Sequence, residues 1–213
     1  MDLAPGPPAD EFRKLMARTY DNHARERDDR GEAGWRWPLA EAFLTRLAEG
    51  DRLLEIGAGT GYTARWFADH GLDVVATDLS PAQVDRCREK GLEAHVRDMY
   101  DLGFPEESFH GVWAMNCLLH VPNADLERVL IGIREVLRPG GLFQLGVWGG
   151  VDQEGLYEDD FYKPNRFFSF RTDEDLKQRV GEVFEIVSFE TITPEEEPDD
   201  DGLHLQIVLV RSP

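Results

Sequence analysis

Four short segments carry residue types that could do chemistry together. Glu55-Ile56-Gly57-Ala58-Gly59-Thr60-Gly61 sets three glycines two apart behind an acid. Glycines permit a tight turn and close approach of a ligand to the backbone, and a helix starting there favours a negative group such as a carboxylate. A plain glycine-rich turn is the structural alternative. Asp78, in VVATDLSP, offers a carboxylate able to accept two hydrogen bonds from ribose hydroxyls; an exposed acid doing turn duty is its alternative. Asp98, in HVRDMYDL, supplies a second acid suited to an adenine amino group, with Met99 against the ring. Asn116-Cys117-Leu118-Leu119-His120-Val121-Pro122 brings a side chain that titrates near neutrality to where a transferred group would meet its acceptor. For His120 the alternative is a packed histidine within the same turn.

Each segment follows a predicted strand. DRLLEI (51–56) is the first, followed by the glycine loop and a helix reaching His70, with Gly71 as its stop. LDVVAT (72–77) is the second. Ser80-Pro81-Ala82-Gln83 then supplies an N-cap, a proline at the first helical position and a glutamine three residues past the cap. LEAHV (92–96), FHGVWAM (109–115) and LFQLGVW (142–148) are the next strands, with a helix over 125–137 ended by Pro139-Gly140-Gly141. Thr172 opens a further helix with capping-box spacing. FEIVSFETI (184–192) and LHLQIVLV (203–210) are the last strands, joined by an acidic stretch, 195–201, that reads as a solvated hairpin loop; attraction of a cationic substrate is its alternative. Alternation of strands and helices specifies a doubly wound α/β protein: a mostly parallel sheet, helices on both faces, and the final pair antiparallel at one edge. Ligands in such folds bind beyond the C-terminal ends of the strands, at the topological switch point. Upstream, residues 1–10 are proline-rich and read as disordered, and 11–30 as a helix docking one narrow face through Phe12, Leu15, Met16 and Tyr20. The expected organisation is an N-terminal helical lid over 1–38 and one α/β domain over 39–213.

A hydrophobic fraction of 41% in 213 residues supplies a core without disulfides or structural metal. No apolar run approaches the ~20 residues of a membrane span. The opening MDLAPGPPADEF lacks the basic start and apolar stretch of a signal peptide. Cys87 and Cys117 make no disulfide framework. The expectation is a reduced, cytoplasmic protein that engages no membrane. The formal net charge of -19 argues against a nucleic-acid partner, whose phosphates need Lys and Arg to neutralise them, and favours a neutral or cationic small molecule. No His/carboxylate cluster has metal-site spacing, so no metal is expected. Monomer and homodimer both stay open.

Together these segments resemble the class I S-adenosylmethionine-dependent methyltransferase family. LLEIGAGTG is similar to its first motif, TDLS to its ribose acid and RDMYDLGFP to its adenine segment; SFHGVWAMNCLLHV and VLRPGG are similar to its fourth- and fifth-strand signatures. The resemblance is close over 40–150. It implies a Rossmann-like seven-stranded sheet with an antiparallel last strand, S-adenosyl-L-methionine as cofactor and S-adenosyl-L-homocysteine as product. It implies that Glu55 and the backbone of Gly57, Ala58, Gly59 and Gly61 hold the methionine end, and that Asp78 holds the ribose. Leu79 and Met99 would sandwich the adenine, Asp98 bind its amino group, Asn116 line the same cofactor site, and Tyr20, in RTYDNHA, cover the methionine moiety. Cys117-Leu118-Leu119 stands where the nucleic-acid and protein-glutamine branches carry a Pro-Pro-aromatic signature, and no Pro-Cys pair occurs. A small-molecule branch remains, methylating an O or N atom of an organic acceptor such as a natural product, with His120 as the base if one is needed. Trp37, and Tyr162, Phe167 and Phe168 from the aromatic segment 157–170, would wall the acceptor; a hydrophobic cover over the sheet is the alternative. Two other functions compete. An NAD(P)-dependent reductase is disfavoured by Tyr62, where G-x-G-x-x-G needs its last glycine, and by the lack of a Tyr-x-x-x-Lys pair. A non-catalytic cofactor-binding partner or sensor is disfavoured by the intact loop and acids.

Overall fold

The computed structural model describes residues 3–6, 9–193 and 202–213. The acidic stretch 195–201 lies outside the described residues, as do parts of the proline-rich start. Among the described residues ten strands and six α-helices follow in order: β1 (Leu3–Ala4), α1 (Ala9–Arg30), α2 (Arg36–Leu44), β2 (Arg52–Ile56), α3 (Tyr62–Asp69), β3 (Asp73–Asp78), α4 (Pro81–Glu89), β4 (Glu93–Val96), β5 (Phe109–Met115), α5 (Leu126–Val136), β6 (Leu137–Gly149), β7 (Gln153–Tyr157), β8 (Phe167–Phe170), α6 (Asp173–Gly181), β9 (Glu185–Ile192) and β10 (His204–Arg211).

Seven strands form one sheet in the order β4-β3-β2-β5-β6-β10-β9, with β10 antiparallel to both its neighbours. The doubly wound sheet with a reversed last strand is therefore as the alternation of elements requires. Strand order reverses between β2 and β5, so the glycine loop after β2 and the turn after β5 face each other across the switch point. Alternate residues of the buried strands feed two cores. Leu54, Ile56, Val112 and Phe143 pack beneath α5 and α6, while Leu53, Trp113 and Ile207 pack against α2, α3 and α4 through Phe43, Phe67 and Val84. The predicted cap of α4 is present: the Ser80 hydroxyl accepts from Gln83 N at 3.2 Å, with Pro81 at the first helical position.

Two features depart from expectation. Pro139-Gly140-Gly141 ends α5 but does not leave the sheet; β6 already begins at Leu137, because Gly140 N and Ser212 N trade hydrogen bonds with Ser212 O and Gly141 O at 3.0 and 2.9 Å. A second sheet, β1-β7-β8, is built from antiparallel pairs. β8 is buried at all four positions, which erases the alternation that marks a half-exposed strand.

Helix α1 roofs the C-terminal edge of the large sheet. Phe12 and Met16 bury against Phe167, and Thr19 Oγ1 donates to Pro164 O at 2.7 Å. Asp21 accepts from Ser80 Oγ and Ala82 N at 2.5 and 3.0 Å, placing an acid where the positive end of α4 favours it. Near its C-terminus, Asp28 receives Lys90 Nζ at 2.5 Å and, on its carbonyl, Tyr62 OH at 2.9 Å. No helix among the described residues is long and apolar enough to cross a membrane.

Candidate functional site

Under α1 lies a cavity of about 360 Å³, at the lower end of the range for small-molecule sites. Its floor is the glycine loop. Gly57, Gly59 and Gly61 all adopt positive φ, and at Gly57 a side chain is barred twice over: φ is +66°, and an added Cβ would lie 2.4 Å from Cys117 Cβ. That contact is what brings the β2 and β5 ends together. Asp78 ends β3 with Oδ2 accepting from Gly59 N and Oδ1 from Ser80 N, both at 2.9 Å. Burial raises its carboxyl pKa, with those two amides and Arg27 working against the rise. Each oxygen retains a lone-pair direction for a further donor.

Gly57, Ala58, Gly59, Asp78, Leu79, Asp98, Met99, Asn116, Tyr20, His120 and Phe168 all line this cavity. Other expected residues stand elsewhere. Glu55 is 2% exposed and shares the face of Leu53, under α3, where Ala64 N donates to it; it does not reach the cavity wall. Strand alternation dictates this, since Ile56 takes the opposite face. Burial, first of all, holds the Glu55 carboxyl well above the usual range. Gly61 caps α3 and packs on Cys87 and Leu92, so its role is close helix packing. Trp37 leans on Trp66 of α3, ring centres 6.1 Å apart, while its neighbour Arg36 takes the cavity side. Tyr162 sits behind Tyr20 and against His23, and Phe167 packs on Phe12, both as second layers.

His120 is fixed at both ring nitrogens. Nδ1 lies 2.6 Å from Phe167 O, a group that only accepts, so Nδ1 carries the proton. Nε2 is then the acceptor for Tyr20 OH, also at 2.6 Å. Burial pushes the His120 pKa down to about 3; the Phe167 carbonyl opposes this, and Arg166 and Arg27 add to it. Burial likewise raises the Tyr20 pKa, against the pull of the same two arginines.

The cavity also uses residues that motif reading passed over, chiefly Arg13, Arg27, Arg36 and Arg166. Arg27 had a signal: Phe12, Met16, Tyr20 and Arg27 repeat at helical spacing on one face of α1. Arg13 Nη1 holds Asp98 Oδ2 at 3.0 Å, so an adenine amino group would share that carboxylate with it. Among the described residues, Asn116 Oδ1 is a buried acceptor in the cavity wall with no partner. That orphan, the side-chain-free loop and the spare lone pairs of Asp78 fit a ligand with ammonium and ribose donors, as S-adenosylmethionine has. Among the described residues no cluster could hold a metal ion.

A parallel sheet whose switch point carries a glycine turn, a strand-end acid and a roofed cavity defines a Rossmann-like cofactor-binding protein. Residues 53–141 match the methyltransferase domain family. The chain is 37% identical over 114 residues, 49% of its length, to 27-O-demethylrifamycin SV methyltransferase of Amycolatopsis mediterranei, and covers 41% of it. It is 34% identical over 125 residues, 54% of its length, to methyltransferase GfsG of Streptomyces halstedii, covering 44% of that protein. The chain thus spans less than half the length of these curated relatives. Among solved structures, the Burkholderia thailandensis 1,6-didemethyltoxoflavin-N1-methyltransferase, bound to 1,6-didemethyltoxoflavin and S-adenosylhomocysteine, shares the fold with a TM-score of 0.80 at 22% identity, covering 100% of this chain and 93% of that one. The [4+2]-cyclase SpnF shares it at 0.71 and 20% identity, covering 99% and 98%. Over residues 53–141 the chain is therefore similar to the methyltransferase domain family, and its fold is that of Rossmann-like methyltransferases.

Proposed function

We propose that the protein transfers a methyl group from S-adenosylmethionine to an O or N atom of a small organic molecule, with residues 1–38 acting as lid and 39–213 as the catalytic domain. The observation that carries this reading is the Tyr20–His120 hydrogen bond at the wall of a cavity whose floor is the glycine loop and Asp78. A cyclase on the same fold shows that fold alone would not suffice.

When bound, the cofactor supplies a methyl group on a positively charged sulfur, which keeps the C–S electron pair while the acceptor's lone pair forms the new bond. The chain's part is placement. Backbone at Gly57 and Gly59 leaves room for the methionine end, Asp78 takes the ribose, and Leu79 and Met99 flank the base with Asp98 at its edge. Holding two reactants in line is worth about 7–11 kcal/mol when geometry is near attack. Tyr20 stands between the cavity and His120, so an acceptor proton would pass to the Tyr20 oxygen as the Tyr20 proton moves to His120 Nε2. α1 keeps water out.

Calorimetry with S-adenosylmethionine, S-adenosylhomocysteine and NAD tests the cofactor, and a mass-spectrometric screen for a gain of one methylene across phenols, amines and carboxylates tests the reaction. Binding of NAD in place of the other two would overturn the reading.

A further inference from the structure

The chain's net charge of -19 favours neutral or cationic molecules arriving from solvent. The cavity wall has the opposite sign: Arg13, Arg27, Arg36, Arg97 and Arg166 line it against the carboxylates of Glu32, Asp78 and Asp98. Three of these arginines have acids close by, Asp98 for Arg13 at 3.0 Å, Glu32 for Arg36 at 3.1 Å and Asp160 for Arg166 at 2.8 Å. Arg36 works at the glycine-loop end, where its charge bears on Glu55 and Cys117. Arg27 and Arg166 both bear on Tyr20 and His120, and Arg27 also reaches the loop: its Nη2 is what a Cβ at Gly59 would meet, at 3.7 Å, and its charge bears on Asp78.

Arg27 faces Asp78 and Glu32 without reaching ion-pair distance of either. Among the described residues it has no ion pair; Nη1 reaches the Tyr162 hydroxyl at a long 3.4 Å, and Nε is buried without a partner. A guanidinium withdrawn from water without a paired carboxylate is costly. Arg166 spends Nε and Nη2 on Asp160, at 2.8 and 2.9 Å, and also hydrogen-bonds Tyr20. Five guanidiniums on the wall thus face four carboxylates, Glu32, Asp78 and Asp98 together with Asp160 behind Arg166, an excess of one positive charge. Aromatic surface adjoins them: Arg166 lies over Phe161 and Phe168, 5.4 and 5.0 Å from the ring centres, and Phe161 is 64% exposed at the rim. A carboxylate matches a guanidinium fork, and a flat ring suits the faces of two phenylalanines.

We propose that the methyl acceptor is a flat organic acid whose carboxylate seats on Arg27 and Arg166 beside Tyr20, with its ring against Phe161 and Phe168. This rests on the methyltransferase reading. The seated carboxylate also faces the two cations that keep a proton off His120, and so prepares that nitrogen to receive one.

The test is calorimetry on the full chain loaded with S-adenosylhomocysteine, with para-hydroxybenzoate, para-hydroxybenzamide and para-hydroxybenzyltrimethylammonium as acid, neutral and cationic probes. The acid should bind about tenfold or more tighter than either analogue, the scale of charged hydrogen bonds. Arg27→Met should remove that preference while affinity for S-adenosylhomocysteine holds. Three results overturn the proposal: no binding of the acid, equal binding of the amide or ammonium probe, or joint loss of acid and S-adenosylhomocysteine in Arg27→Met, which would assign Arg27 to the cofactor. The probe comparison on the unaltered chain decides the matter even if the variant fails to fold. Failure of the unaltered chain to bind S-adenosylhomocysteine is a separate result, and it takes the methyltransferase reading down as well.

Discussion

Replacing Tyr20 by Phe removes one oxygen, and its cost divides in two. For stability, the hydroxyl is the donor to His120 Nε2 at 2.6 Å, and His120 is only 8% exposed. Without it the ring nitrogen is a buried acceptor lacking a donor, a loss of about 1–3 kcal/mol. For chemistry, placing a proton at pH 7 on an imidazole whose pKa is about 3 costs roughly 5 kcal/mol. His120 is therefore a poor base alone, and needs Tyr20 to deliver the proton as negative charge arrives nearby. With a protonated acceptor, Tyr20→Phe should lower the single-turnover rate about 10²–10⁴-fold, while calorimetry finds the affinity for S-adenosylhomocysteine nearly unchanged. His120→Asn, whose amide can still donate to Phe167 O, should be about as slow, and the double variant little slower than either, because the pair acts as one unit. Full turnover in Tyr20→Phe, or losses that multiply in the double variant, would refute the proton route. A parallel loss of cofactor affinity would show that the hydroxyl serves cofactor binding rather than proton transfer.

Asp78→Ala should weaken S-adenosylmethionine binding about tenfold or more by calorimetry, since a partly buried acceptor of ribose hydroxyls is lost and Gly59 N and Ser80 N lose theirs. Gly57→Ala should melt well below the parent and fail to bind cofactor, because the left-handed φ and the 2.4 Å approach to Cys117 leave no room to relax. The low His120 pKa means the unfolded chain takes up a proton near pH 6.5 that the folded chain refuses down to about pH 3. Stability is thus fully present above pH 6.5 and falls as pH drops towards 3, by up to roughly 1.4 kcal/mol per pH unit from this group. Denaturant titrations of His120→Asn should show a shallower slope across that window; an unchanged slope would contradict a neutral buried imidazole.

What was legible in the sequence follows from what is local. The strand–loop–helix rhythm, the Ser80 cap and the switch-point segments are written in contiguous residues, so the large sheet could be read directly. The second sheet could not, because β8 is buried on both faces and β1 is two residues long. At the site, backbone-defined positions such as Gly57, Gly59 and Asp78 stand where motif spacing puts them. Side chains whose direction depends on strand parity or helix rotation do not: Glu55 turns under α3, and Trp37 yields the cavity to Arg36. The Tyr20–His120 contact joins residues 100 apart in the chain, a separation that local pattern does not encode.

The roof over the cavity sets a clock. α1 is fastened by Arg13 to Asp98 at one end and by Lys90 to Asp28 near the other, with Asp21 on the start of α4 between them. With residues 1–38 as the proposed lid, cofactor exchange requires these bonds to open, and the expected outcome is that release, rather than methyl transfer, limits repeated cycles. Two of the fastenings are partly exposed ion pairs, which salt weakens. Raising ionic strength should then quicken steady-state turnover and leave the first turnover of preloaded enzyme unchanged. Equal response of both rates would mean that the roof does not govern the cycle.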